Sequence, residues 1–154
     1  MANQTFKLEG FAELEQQLKQ LSEIGRGDLV ARNTMSKAAK QAMQVVYDTV
    51  LQTAPYDESN NGPIHLRDTT RLDARIPTAK DKMSYYVNET DAVIAVVSVK
   101  KSAVSLAQEF GNARTTAQPF LRIALERNSE QVLSVLKNTL GSFIIDYAAK
   151  LRRK

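Results

Sequence analysis

The side chains able to do chemistry in this chain are few and scattered. His65 is the single histidine, set beside Leu66 in a turn-rich stretch. One imidazole cannot complete a histidine-rich metal site, and a Ser-His-Asp triad would depend on it alone, so it reads as a solvated loop residue. Carboxylates are scattered, with Glu13 and Glu15, and Asp57 and Glu58, the nearest to clusters. Each pair falls on a polar helix face or a loop tip, without the apolar surround that raises an acid's pKa. No G-x-S-x-G elbow, no P-loop and no G-x-G-x-x-G after a strand occurs, and Arg26 between Gly25 and Gly27 is a helix break rather than a phosphate cradle. The absence of cysteine excludes disulfides and thiolate metal sites. Tyr85 and Tyr86 are adjacent aromatics of the kind that stack on bases, although tyrosines at a sheet edge are more often packing residues. The cluster Lys150-Leu151-Arg152-Arg153-Lys154 suits phosphates, but cations at a helix C-terminus also simply complement its dipole. The expectation is a chain with no catalytic residue, no metal site, no cofactor and no small-molecule substrate: not an enzyme.

One run carries more information. Glu109-Phe110-Gly111 is followed by a polar loop, residues 112–118, and then by Pro119-Phe120-Leu121-Arg122. Gly111 takes a positive φ at little cost and suits the end of a helical turn. Pro119 has a fixed φ and no N–H, which suits the first turn of the next helix. The loop between them holds no bulky apolar residue. It is either a solvated connector or a surface buried only on a partner.

The elements that must hold this run are legible from periodicity. Residues 5–9 alternate and end at Gly10, reading as a short strand. Phe11, Leu14, Leu18 and Leu21 recur at helical spacing until the break at residues 25–27. Asp28 is a plausible N-cap for a second helix reaching Thr53, with Leu29, Met35, Ala39, Ala42, Met43, Val46 and Val50 among its apolar positions, and Pro55 stops it. Its small residues Ala38, Ala39 and Ala42 let another helix approach closely. Residues 56–65 form a projecting loop of turn chemistry, and residues 66–72 read as one or two helical turns. Residues 75–77 and 83–87 are candidate strands. Residues 92–99 are β-branched and apolar on both faces, as in a central strand covered on both sides. Residues 103–110 read as a short helix. A last helix starts at Pro119 and runs to Leu151, with a stripe of Leu121, Leu125, Val132, Leu136, Leu140, Phe143, Tyr147 and Leu151, widened by Leu133 and Ile144. Asn128 interrupts the stripe, marking either a kink or a buried polar contact.

A chain of 154 residues is one domain by prior, residues 1–154, large enough for a real core. Its 43% hydrophobic and 25% charged residues are ordinary for a soluble domain. The net charge of +4 is small and spread out, a weak footprint for nucleic acid. Residues 1–5 show no basic flank before an apolar run, so no secretory signal is expected, and no segment approaches the roughly 20 apolar residues that span a bilayer. Helices at the ends and strands in the middle imply an α+β fold: a small, mainly antiparallel sheet packed with two long helices.

The run Glu109-Phe110-Gly111 … Pro119-Phe120-Leu121-Arg122-Ile123-Ala124-Leu125 resembles a signature of the tail-component family of long-tailed lambdoid bacteriophages, the tail-completion or head–tail joining proteins. The minor tail protein Z of phage lambda is a related member. Members read Glu-Phe-Gly-Thr, a polar loop, then Pro-Phe-Leu-Arg-Pro-Ala-Leu. Here Asn112 stands at the usual threonine and Ile123 at the common second proline, and neither alters the loop-then-helix logic. Residues 6–14 look like the family's first strand and helix, and the alanine-rich helix ending in Ala54-Pro55 also fits. Leu66-Arg67-Asp68-Thr69 resembles its Gly-x-Leu-Arg-x-Ser segment, here separated from Pro55 by an insertion at residues 57–63.

The resemblance implies a virion structural protein without catalysis, made in the host cytoplasm. It would form a ring, expected to be hexameric, at the head–tail junction. Its partners would be its own copies and neighbouring neck and tail proteins, with DNA passing through the lumen without specific binding and no membrane. Ring contacts are heterologous, so each subunit needs two different adhesive faces. The loops at 112–118 and 56–65 are candidates, and the interface residues expected are Leu66, Arg67, Glu109, Phe110, Gly111, Arg114, Pro119, Phe120 and Arg122. For Pro119 to Arg122 two readings stand: a helix start burying Phe120 and Leu121 in the protomer's own core, or an interface role for Arg122. The alternatives are a tail-terminator or connector-adaptor ring and, in another class, a small basic nucleic-acid-binding protein using Tyr85, Tyr86 and the C-terminal cations.

Overall fold

The computed structural model describes Gln16, residues 29–56, Gly62 and residues 65–152. The expected strand at 5–9, the helix through Phe11 and Leu21, the Asp28 cap and most of the 56–65 loop lie outside the described residues. Within them the chain is α+β. It has helix α1 (Leu29–Thr53), strands β1 (Arg71–Arg75) and β2 (Ile94–Ser98), helix α2 (Ala103–Phe110) and helix α3 (Leu121–Arg152). One-turn 3₁₀ segments at Arg67–Thr69 and Asp81–Met83 precede β1 and follow it.

The two long helices are antiparallel. Met35 and Ala38 of α1 pack with Leu140 of α3, while Val46, Val50 and Ala54 pack with Phe120 and Ala124. The buried face of α1 is Ala31, Met35, Ala38, Ala42, Val46 and Val50, a helical stripe whose N-terminal half is mostly alanine. Ala38 and Ala42 are buried whereas Ala39 is half-buried, so the close approach falls one position away from part of the expected stripe. Pro55 disfavours helical geometry at Ala54, and the last backbone bond of α1 runs from the Ala54 nitrogen to the Val50 carbonyl at 2.8 Å.

β1 and β2 pair antiparallel, from Arg71 opposite Ser98 to Arg75 opposite Ile94, and both pack against α1. Four expectations need correction here. Of the one or two helical turns expected at residues 66–72 only one is present, at Arg67–Thr69. The Asp68 carboxylate accepts the His65 N–H at 3.0 Å and closes a single 3₁₀ turn, after which Leu72 and Ala74 alternate inward as strand β1. The strand expected at 75–77 therefore ends where it was expected to begin. Residues 83–87 are not a strand, because that backbone is satisfied locally: the Val87 N–H donates to the Ser84 backbone carbonyl, the Tyr86 N–H to the Ser84 hydroxyl, and the following Asn88 N–H to the Asp91 carboxylate. The 92–99 run is shorter than expected and is not central among the described residues. It pairs with β1 alone, and Val96 on its outer face is exposed while Val97 and Val99 join the Val50 core.

The α3 stripe is also shifted at its start. Phe120 and Ala124 are buried and Leu125 is exposed. The buried line then passes through Asn128, whose Nδ2 donates to the Thr49 hydroxyl at 2.9 Å and to the Ala124 carbonyl at 2.8 Å. Of the two readings for Asn128, the polar contact is the one present. The side chains of Tyr147 and Leu151 and the basic tail lie outside the description.

Candidate subunit-contact site

The Glu109-to-Arg122 run is built as one unit. Ser102 caps α2 reciprocally: its hydroxyl accepts the Ser105 N–H at 3.1 Å, and the Ser105 hydroxyl accepts the Ser102 N–H at 2.8 Å. This fixes the register of α2 so that Ser105 and Glu109, one turn apart, both face inward. Glu109 is 7% exposed, unusual for a carboxylate. Its Oε2 accepts the backbone N–H groups of Phe120 at 2.9 Å and Leu121 at 3.0 Å, and its Oε1 accepts that of Arg122 at 3.2 Å. These are N–H groups that the start of α3 leaves without intrahelical partners, and the helix dipole favours an anion there. Glu109 is thus the N-terminal cap of α3, supplied from another helix. Phe120 itself occupies the cap position, since its carbonyl accepts the Ala124 N–H, so Pro119 lies just before the helix and not in its first turn as expected.

The connector is ordered by its own backbone and by Asn112. Gly111 ends α2 with φ +77°, and its N–H donates to the Ala107 carbonyl at 2.8 Å. A Cβ at Gly111 would lie 3.0 Å from the Ala117 nitrogen, so both the conformation and the space require glycine. The Asn112 side-chain carbonyl accepts the Arg114 and Thr115 N–H groups at 2.8 Å each, and the Asn112 N–H donates to the Thr115 carbonyl at 2.9 Å. The Gln118 N–H then donates to the Gln108 carbonyl at 2.7 Å and seats Pro119 beside α2.

The nine expected interface residues separate into two groups. Glu109 and Phe120 are buried in the protomer, Phe120 at 2% exposure, so the core reading holds for Phe120. Gly111 shapes the connector. Leu66 packs on the Val50 cluster, and Arg67 lies with its guanidinium carbon 4.9 Å from the centre of the Tyr56 ring, which is 4.4 Å from the His65 ring. Outward-facing residues are Phe110, 71% exposed, Arg114 and Arg122, with Pro119 half-buried. On α2 the usual polarity is inverted: Ser105 and Glu109 are inside, Leu106 and Phe110 are outside, one turn apart.

Sequence reasoning missed the capping role of Glu109, which depends on a contact eleven residues away. The available signal was the joint presence of an acid before a glycine stop and a helix start without a Ser, Thr, Asp or Asn cap. Also missed was a cleft of about 330 Å³ between the end of α1 and the start of α3, lined by Thr49, Thr53, Pro55, Pro119, Ile123 and Arg127 among others.

Among the described residues no cluster of histidine and carboxylate side chains could hold a metal ion, and no helix is long and apolar enough to cross a membrane. No protein-family model, curated protein or solved structure matches the chain.

Proposed function

We propose that this chain is a structural protein of the phage head–tail junction, forming a ring that completes the tail and joins it to the head connector around the DNA channel. The observation that carries the reading is the Glu109 cap. The two halves of the tail-component signature, Glu-Phe-Gly and Pro-Phe-Leu-Arg, are a carboxylate and the three N–H groups it receives. In this chain the two halves act together as one unit, which supports reading them together. The exposed Leu106 and Phe110 add a surface suited to a neighbouring subunit. The mechanism is geometric: each copy packs on the next, and the closed ring matches the rings above and below it. A terminator or connector-adaptor ring would use the same unit.

Class averages of the purified chain test this reading, with closed rings around a central lumen as the expected result. The rival, a monomeric nucleic-acid-binding protein, requires a single copy with DNA affinity that falls steeply with salt. A persistent monomer with such affinity would replace the ring reading.

A further inference from the structure

Two features lie toward opposite ends of the long-helix pair. The first is the tyrosine pair of the β1–β2 connection. Tyr85 and Tyr86 are 94% and 88% exposed, and their rings meet edge-to-face with centroids 5.5 Å apart and planes at 88°. Met83 stands exposed beside them. Two aromatic rings in water, already held against each other, form a preorganised knob, which lowers the ordering cost of inserting them elsewhere. The connection is itself braced: Asp81 accepts from Arg75 and Thr78, and the Lys82 ammonium donates to the Glu89 carbonyl at 3.3 Å.

The second feature is the cleft at Thr49, Thr53, Pro55, Pro119, Ile123 and Arg127. Its volume of about 330 Å³ lies at the small end of the range for sites that receive a ligand or side chain. Prolines and Ile123 offer apolar walls for a ring, while Thr53 and Arg127 offer partners for a phenol oxygen. Arg127 is exposed and makes no ion pair among the described residues. The connection carries Lys80 and Lys82 as well as Glu89 and Asp91, so its charges balance, but the Glu89 carboxylate is exposed and makes no ion pair among the described residues. Knob and cleft thus offer an aromatic pair to apolar walls and one carboxylate, Glu89, to one cation, Arg127.

Their placement names the occupant. Ala92 and Val93, which follow the knob, pack with Met35 and Leu140, whereas the cleft is walled by Phe120 and Ala124 of the Val50 cluster. About 22 Å of helix axis separates Met35 from Val50. A knob at one end and its receptor at the other, on every copy, generate a head-to-tail contact. We infer that the Tyr85–Tyr86 knob of one copy seats in the Thr53–Arg127 cleft of the next copy of this same chain. The inference rests on the ring reading and specifies its contact.

Native mass measurements across a concentration series test it. Tyr85→Ala/Tyr86→Ala alters only exposed side chains, and Thr53→Trp fills the mouth of the cleft from an exposed position. The wild-type chain is expected above the dimer mass and each variant as monomer. An equimolar mixture is expected to give one-to-one dimers and nothing larger, because only one productive knob and one productive cleft remain. Arg127→Glu and Glu89→Arg are each expected to lose the larger species, and the two together in one chain to regain it. Variants that keep the wild-type mass would overturn this contact while leaving the ring intact. A wild-type chain that stays monomeric at every concentration would remove both. Binding of single-stranded oligonucleotide lost in Tyr85→Ala/Tyr86→Ala, with the assembly mass unchanged, would reassign the knob to nucleic acid.

Discussion

The Glu109 carboxylate lies 2.9 Å from the backbone nitrogen of Phe120, and the same group holds the nitrogens of Leu121 and Arg122. One buried side chain on α2 therefore fixes where α3 begins. Replacing it with alanine leaves those N–H groups without an acceptor in a region from which water is largely excluded. Charge-assisted bonds of this kind carry about 1.5–3 kcal/mol each when one partner is removed, though they do not add. Glu109→Ala is expected to cost about 3 kcal/mol, a fall in Tm of about 10 °C for a chain of this size. Glu109→Gln, which keeps one acceptor oxygen but not the charge, is expected to fall between. Thermal unfolding of the three proteins measures this, and an unchanged Tm in Glu109→Ala would contradict the capping role.

Gly111 makes the turn that lets α2 hand over to the connector. Its φ of +77° is strained for any side chain, and an added Cβ meets the Ala117 nitrogen at 3.0 Å, a backbone atom that cannot swing aside. Gly111→Ala is expected to lose about 1–3 kcal/mol, read from denaturant midpoints with an unchanged slope. A stabilised variant would mean that the connector rearranges freely.

Acid should act on the β1–β2 connection. The Arg75 guanidinium donates to Asp81 through Nε at 3.2 Å and Nη2 at 2.8 Å and also pairs with Asp73, while Thr78 donates its N–H and hydroxyl to Asp81 at 2.9 and 2.7 Å. The Arg75 bonds first, then those from Thr78, hold the Asp81 carboxyl well below its ordinary range. A depressed folded-state pKa contributes stability that is fully present above the unfolded value, near 4, and is lost as pH falls toward the folded value. The stability difference between the wild-type chain and Asp81→Asn is therefore expected to shrink as pH drops from about 6 to about 2. A difference that stays flat over that window would show that Asp81 is not held ionised by these partners.

The contact between Asn128 and Thr49 joins the long helices through a polar pair inside an otherwise apolar seam. A double-mutant cycle of Asn128→Ala and Thr49→Val is expected to give a coupling of about 0.5–1 kcal/mol. Additive effects would mean that Asn128 acts only through its bond to the Ala124 carbonyl.

Much of the architecture was legible in local pattern. The helical stripes of α1 and α3, the Pro55 stop, the Gly111 turn and the α+β class follow from spacing and from two residue types with special backbones. What was not legible depended on distant partners. The strand Arg71–Arg75 has only Leu72 and Ala74 facing inward, too short an alternation to distinguish from a helical turn until β2 is placed beside it. Tyr85 and Tyr86 resembled strand residues because their types favour sheets, yet neighbouring Ser84, Asn88 and Asp91 satisfy the backbone locally and leave both rings in water. Leu125 matched the helical period but is exposed, because Phe120 and Ala124 are the residues that pack against Val46, Val50 and Ala54 of α1. The candidate site divides the same way: the role of Gly111 was visible, Pro119 was expected inside the first turn and lies just before it, and the receptor of the Glu109 carboxylate was not visible.

The central claim is that this chain works by packing between subunits at the head–tail junction. It is tested most directly in a phage genome carrying the gene, by disrupting the gene and imaging the particles. Separate heads and tails are expected, with joined, infectious particles restored by adding the purified wild-type chain to the lysate. Normally joined virions made without the chain would contradict the account.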